Sequence, residues 1–145
     1  MSTPPAPAAD LMAVVLTESA ADKLLPFATL VSGALALGMR VHVFASYWGL
    51  AAFRRSSPPR APEVSPGHGE DGARLEQALR APRAPSWKAI LEMAKSIGEI
   101  HIYACSQSME ILGLAKDDLD PLVDEVTGVA TFIDRTRGAA VSYFI

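Results

Sequence analysis

The chain has one cysteine in 145 residues, Cys105, which excludes an intrachain disulfide and any four-cysteine metal site. A lone thiol suits a reducing compartment, so a cytoplasmic location is expected. Metal-ligand spacing is also missing. His42, His68 and His101 share none with each other or with Cys105, and neither a metal nor a cofactor is expected. Positive charge is not in excess: thirteen basic against sixteen acidic side chains leave −3, no general attraction for nucleic acid or an anionic membrane. There is no glycine-rich phosphate loop, because Gly33 and Gly38 lie within and after a helical pattern rather than before one. No Ser/His/Asp arrangement is visible from spacing. The longest uncharged apolar stretch, 24–39, has 16 residues and contains Pro26, Ser32, Gly33 and Gly38, short of the roughly 20 that span a bilayer. Residues 1–9, MSTPPAPAA, lack the basic start and apolar run of a signal peptide and read as a disordered tail.

What is present suffices for a core. Half the residues are apolar and 20% are charged, so a folded domain over 10–145 is expected. LMAVVL at 11–16 is a short apolar run, as in a strand buried on both faces. Asp22 is placed to cap the next helix and Gly38 to end it. That helix is apolar nearly all round: Leu24, Phe27, Ala28, Val31 and Leu35 form one stripe, and Leu25, Leu30 and Leu37 lie off it. It needs cover on more than one side, which a second subunit would supply. Residues 41–45 read as a strand and 47–55 as a helix. From 56 to 85 the chain holds six of its eleven prolines and reads as an irregular insertion with a helical turn or two around 74–80. Ser86 caps a helix with the stripe Trp87, Ile90, Leu91, Ala94 and Ile97, which leaves Lys88, Glu92 and Lys95 on the solvent side and ends at Gly98. A strand at 100–104, a short helix at 106–112 closed by Gly113, a helical turn opened by Asp120 and Pro121, a helix at 128–135 and a strand at 140–145 complete the pattern. Strands alternating with helices predict one α/β/α three-layer domain around a mostly parallel sheet.

Cys105 follows the strand IHIYA and precedes the helix SQSMEIL. Chemistry in open parallel sheets gathers beyond the carboxyl ends of the strands, and the free N–H groups of a helix start stabilise negative charge. That is the placement of an activated cysteine. A buried, inert thiol is the competing reading on the residues alone. Ser106 and Ser108 lie within reach of the sulfur, although helix capping explains Ser106 equally well. Tyr103 and His101 alternate with Cys105 along the strand. His42 reads as a packed strand residue, and His68, in GHGED, as at most an adventitious metal site.

Three blocks, FASYWGLAAFRR (44–55), IHIYACSQSMEILGL (100–114) and GVATFID (128–134), resemble the DsrE/DsrF-like family, in particular its peroxiredoxin-labelled branch. The most specific anchor is Cys105 followed by Ser108, Met109 and Gly113. The second is Phe44, Trp48, Gly49 and Leu50. The resemblance implies an α/β/α fold, assembly as a small homo-oligomer, and cytoplasmic handling of sulfur as a cysteine persulfide. Rhodanese-like donors and TusA-like carriers are the implied partners. Cys105 would be the sulfur-bearing residue, supported by Ser106, Gln107, Ser108 and Met109, with Tyr47, Trp48 and Tyr103 at a pocket or interface. No second cysteine is present to resolve a sulfenate, so the peroxiredoxin label carries no implication of peroxide reduction. The expected function is a sulfur carrier or sulfurtransferase. Its rivals are a non-catalytic oligomeric interaction subunit and a thiol redox sensor.

Overall fold

The structure is a computed structural model that describes residues 10–57 and 63–145. The tail expected at 1–9 lies outside the described residues, as do residues 58–62 of the insertion. The elements run β1 (Leu11–Leu16), α1 (Ala21–Ala36), β2 (Arg40–Ala45), α2 (Trp48–Ala51), α3 (Gly69–Leu79), α4 (Trp87–Ile97), β3 (Ile100–Cys105), α5 (Ser106–Leu112), a 3₁₀ turn (Lys116–Asp118), β4 (Glu125–Thr127), α6 (Val129–Thr136) and β5 (Val141–Phe144). Among the described residues the strands form one parallel sheet in the order β4-β3-β2-β1-β5.

That order places the helices. The crossovers from β1 through β3 step along the sheet in one direction, and right-handed connections then put α1 and α4 on one face. The chain reverses after β4 to lay β5 beside β1, so α6 falls on the other face, where it meets β1 and β2. The result is the α/β/α three-layer fold.

The α1/α4 side carries the main core. Met12, Val14, Leu16, Val41, Val43, Ile100 and Ile102 meet Leu24, Phe27, Val31, Trp87 and Leu91 there. Within the chain, the additional cover over α1 is α4, its principal helical neighbour. Leu25, Leu30 and Leu35 are partly buried against the core, and Leu37 remains 81% exposed.

Several local expectations need correction. Asp22 does not cap α1: Ala20 is the N-cap, and the Asp22 carboxylate accepts the Ser65 N–H at 2.7 Å, tying the insertion to the first turn of α1. The helix expected over 47–55 ends at Ala51, where the chain turns to let Arg54 bridge Leu119. The helical turn in the insertion is the three-turn α3, none of whose residues is buried. Its register is held by exposed pairs of Arg74 with Glu70 and Asp71, and of Arg80 with Glu76. Ser86 does cap α4, accepting from the Ala89 N–H, but Ile97 leaves the expected stripe and is exposed.

Lys88 is the largest departure. Instead of facing solvent it is buried, its ammonium 3.3 Å from Asp120 and within reach of the Arg54 and Ser57 carbonyls. Asp120 and Pro121 open no helix: the Asp120 carboxylate accepts the Leu122 N–H in a tight turn.

Candidate functional site

The carboxyl ends of β2, β3 and β4 bring together Ser46, Cys105 and Thr127 with the loops that follow them. Cys105 ends β3 and is itself the N-cap of α5. Its Sγ accepts the Ser108 backbone N–H at 3.5 Å, so the cap expected of Ser106 is supplied by sulfur. Gly113, at φ 65°, closes the helix. Cys105 is 6% exposed, packed beside Phe44, Tyr103 and Phe132.

Ser108 is fully buried and joins this sulfur to a strained turn. Its Oγ accepts the Tyr47 N–H at 3.0 Å and lies 3.4 Å from the Ser46 hydroxyl. Tyr47 has φ 50° and ψ −117°, and the Gly49 N–H donates to the Ser46 carbonyl at 3.0 Å. These are the torsions of the first central position of a type II′ turn, where glycine is the usual residue. A side chain held there costs about 1–3 kcal/mol and persists only where its surroundings fix it. Here the fixing groups are the Ser108 hydroxyl and Gly49, at which a Cβ would overlap the Leu16 carbonyl. The turn leaves Tyr47 and Trp48 at the surface, 42% and 60% exposed.

Of the other supporting residues, Ser106 and Gln107 are exposed on the first turn of α5, while Met109 turns into the main core. Tyr103 lies two residues before Cys105 on the same face, buried, with its hydroxyl 3.2 Å from His42 Nδ1. The Arg135 guanidinium stands 5.4 Å from the Tyr103 ring and pairs with Glu125 at 2.7 Å, which holds the Glu125 carboxyl below its ordinary range.

Sequence spacing also hid a cluster at the amino end of this face. Parallel register sets His42 opposite His101, and Glu99 lies two residues before His101. One ligand atom from each of the three lies within 4.8 Å of the others. Burial first, then the charges of His101 and Arg40, push the His42 imidazole below its usual value. The signal that could have revealed the cluster is the alternation Glu99-x-His101 at a strand start facing His42 on a neighbouring strand. The strand β4, which completes the rim around Cys105, has three residues and gave no pattern of its own.

Residues 67–144 match the model of the DsrE/DsrF/DrsH-like family. No curated protein matches the chain in sequence. Among solved structures it is similar to a protein of unknown function from Methanobacterium thermoautotrophicum, at 19% identity and TM-score 0.57, covering 92% of this chain and 96% of that one. It is also similar to the ychN protein from E. coli, at 14% identity and TM-score 0.57, covering 93% of this chain and 99% of that one. At those identities the two structures speak for the fold alone, whereas the family match spans more than half the chain. The chain belongs to the DsrE/DsrF/DrsH-like family.

Proposed function

We propose that this protein is a sulfur carrier that takes sulfane sulfur as a persulfide on Cys105 and passes it to a partner thiol. The observation that carries the reading is Cys105 itself: a strand-end thiol capping α5, its sulfur facing the Ser108 N–H. Such a donor stabilises charge on the sulfur and on a persulfide formed there.

The transfer balances without an oxidant. The Cys105 thiolate attacks the terminal sulfur of a donor persulfide, a new S–S bond forms at Sγ, and the donor S–S bond breaks with its electron pair leaving on the donor thiolate. A partner thiolate then attacks the outer sulfur of the Cys105 persulfide and restores the Cys105 thiolate. Rates depend on thiolate fraction, nucleophilicity and access. Access is the constraint, since Cys105 is 6% exposed. The strained Ser46–Gly49 turn is the neighbouring element able to relax and admit a partner.

Rhodanese-like donors and TusA-like acceptors in the cytoplasm are the partners that family membership suggests. Among the described residues no helix is long and apolar enough to cross a membrane. We also propose a homo-oligomer through the thinly covered face of the sheet. Val129, Ile133 and Phe144 are exposed there, beside a hollow of ≈ 350 Å³ between α6 and β5. Light scattering giving only the 15.4 kDa monomer at micromolar concentration would reject that assembly.

Intact-mass measurement after polysulfide treatment tests the carrier reading. Native protein should gain whole sulfur atoms that a reductant removes, and Cys105→Ser should gain none. Equal loading of both proteins, or no loading of either, would reject it. A glutathione adduct without sulfur loading would favour the redox sensor, and an unreactive thiol the interaction subunit.

A further inference from the structure

We propose that His42, Glu99 and His101, brought together at the amino end of the α6-covered face, bind one divalent transition-metal ion of the zinc type.

The placement follows from sheet geometry. Glu99 immediately precedes β3 and His101 is its second residue, so in extended backbone the two project to one side. The parallel register puts His42 of β2 directly opposite His101, with ring centroids 5.3 Å apart. One ligand atom from each residue lies within 4.8 Å of the other two. Around a tetrahedral zinc with bonds of about 2.0–2.1 Å the ligand atoms stand about 3.4 Å apart, a contraction that side-chain torsions can supply.

The donor set suits that ion. Two imidazole nitrogens and a carboxylate oxygen favour zinc and its borderline neighbours over calcium or magnesium, and leave a fourth position for water. The Tyr103 hydroxyl lies 3.2 Å from His42 Nδ1, and in the tautomer in which it accepts the Nδ1–H the His42 Nε2 lone pair is left for the metal. His101 Nδ1 is buried and, among the described residues, has no hydrogen-bond partner. Buried polar nitrogens are rarely left so, and ligation would satisfy it.

The two nearby cations each have an acidic partner that offsets their repulsion of a metal ion: Arg40 pairs with Asp10 at 3.0 Å and Arg135 with Glu125 at 2.7 Å. Glu99 is exposed, which opens a path from solvent. Cys105 is four residues along β3 from His101, roughly 13 Å at strand rise, too far to be a ligand. The metal site is therefore independent of the sulfur chemistry.

Zinc alone, titrated calorimetrically into the metal-free full chain, tests the proposal, with metal content measured after gel filtration. The expected result is one ion per chain and a raised Tm. His101→Ala should abolish binding. Glu99→Gln, at an exposed position that does not threaten folding, should weaken it tenfold or more. Cys105→Ser and His68→Ala should bind as the native chain does. Cobalt in place of zinc should give visible bands without a thiolate charge-transfer band. No retained ion, binding that survives both His101→Ala and Glu99→Gln, or binding lost with Cys105→Ser or His68→Ala would each overturn the proposal.

Discussion

Toward α1 and α4, strands β1 to β3 present Met12, Val14, Leu16, Val41, Val43, Ile100 and Ile102, all apolar. On the opposite face β2, β3 and β4 present Phe44 together with His42, His101, Tyr103, Cys105, Glu125 and Thr127. The first face is sealed by two long helices; over the second lies the eight-residue α6, whose buried residue is Phe132. One sheet thus separates two tasks. Aliphatic burial on one side holds the strands rigid, and that rigidity allows a thiol, two imidazoles and a strained turn to be kept in fixed positions on the other.

Substitutions should follow this division. Leu91→Ala, in the sealed face, should lose about 2–5 kcal/mol in denaturant unfolding, the range for a buried leucine. Val129→Ala, on the exposed side of α6, should stay within about 0.5 kcal/mol. Equal losses would show that the second face is sealed in solution, by a partner or a second copy. Asp120→Ala should cost about 3 kcal/mol, because it strands the buried Lys88 ammonium without its counter-charge. Ser108→Ala should cost about 1 kcal/mol by removing the acceptor for the Tyr47 N–H, and, by loosening the turn that covers the thiol, should speed sulfur loading at Cys105. Unchanged loading would show that the Ser46–Gly49 turn has no part in the sulfur chemistry.

The smallest effect concerns pH. Burial raises the Asp22 carboxyl, but the hydrogen bonds from Ser65 outweigh it and bring it below 3.8. A depressed carboxyl contributes stability above its unfolded value that is lost as pH falls through the folded one. Asp22→Asn should therefore lower stability at neutral pH, with the difference from native protein vanishing as pH falls below about 4.

The features legible in the sequence are those fixed by local chemistry. Ser86, Gly98 and Gly113 mark helix ends because capping depends on a few adjacent residues. Cys105 at a strand-to-helix junction was readable for the same reason, and the three family blocks reinforced it. Features created by tertiary partners were not readable. The burial of Lys88 depends on Asp120 and two distant carbonyls, and the meeting of His42 with His101 depends on strand register. Asp120-Pro121 suits a helix cap and a tight turn equally, and only the surrounding packing selects between them. The exposed helix α3 was obscured by the prolines and glycines around it.

The most direct test of the account starts from Cys105 already loaded with sulfur. Persulfidated protein is mixed with an acceptor protein carrying one reactive thiol, and both are followed by intact mass under anaerobic conditions. The account predicts that each sulfur atom lost from this chain appears on the acceptor as a persulfide, and that Cys105 returns as a free thiol. A mixed disulfide between the two proteins, or sulfur retained on Cys105 while the acceptor stays unmodified, would contradict it.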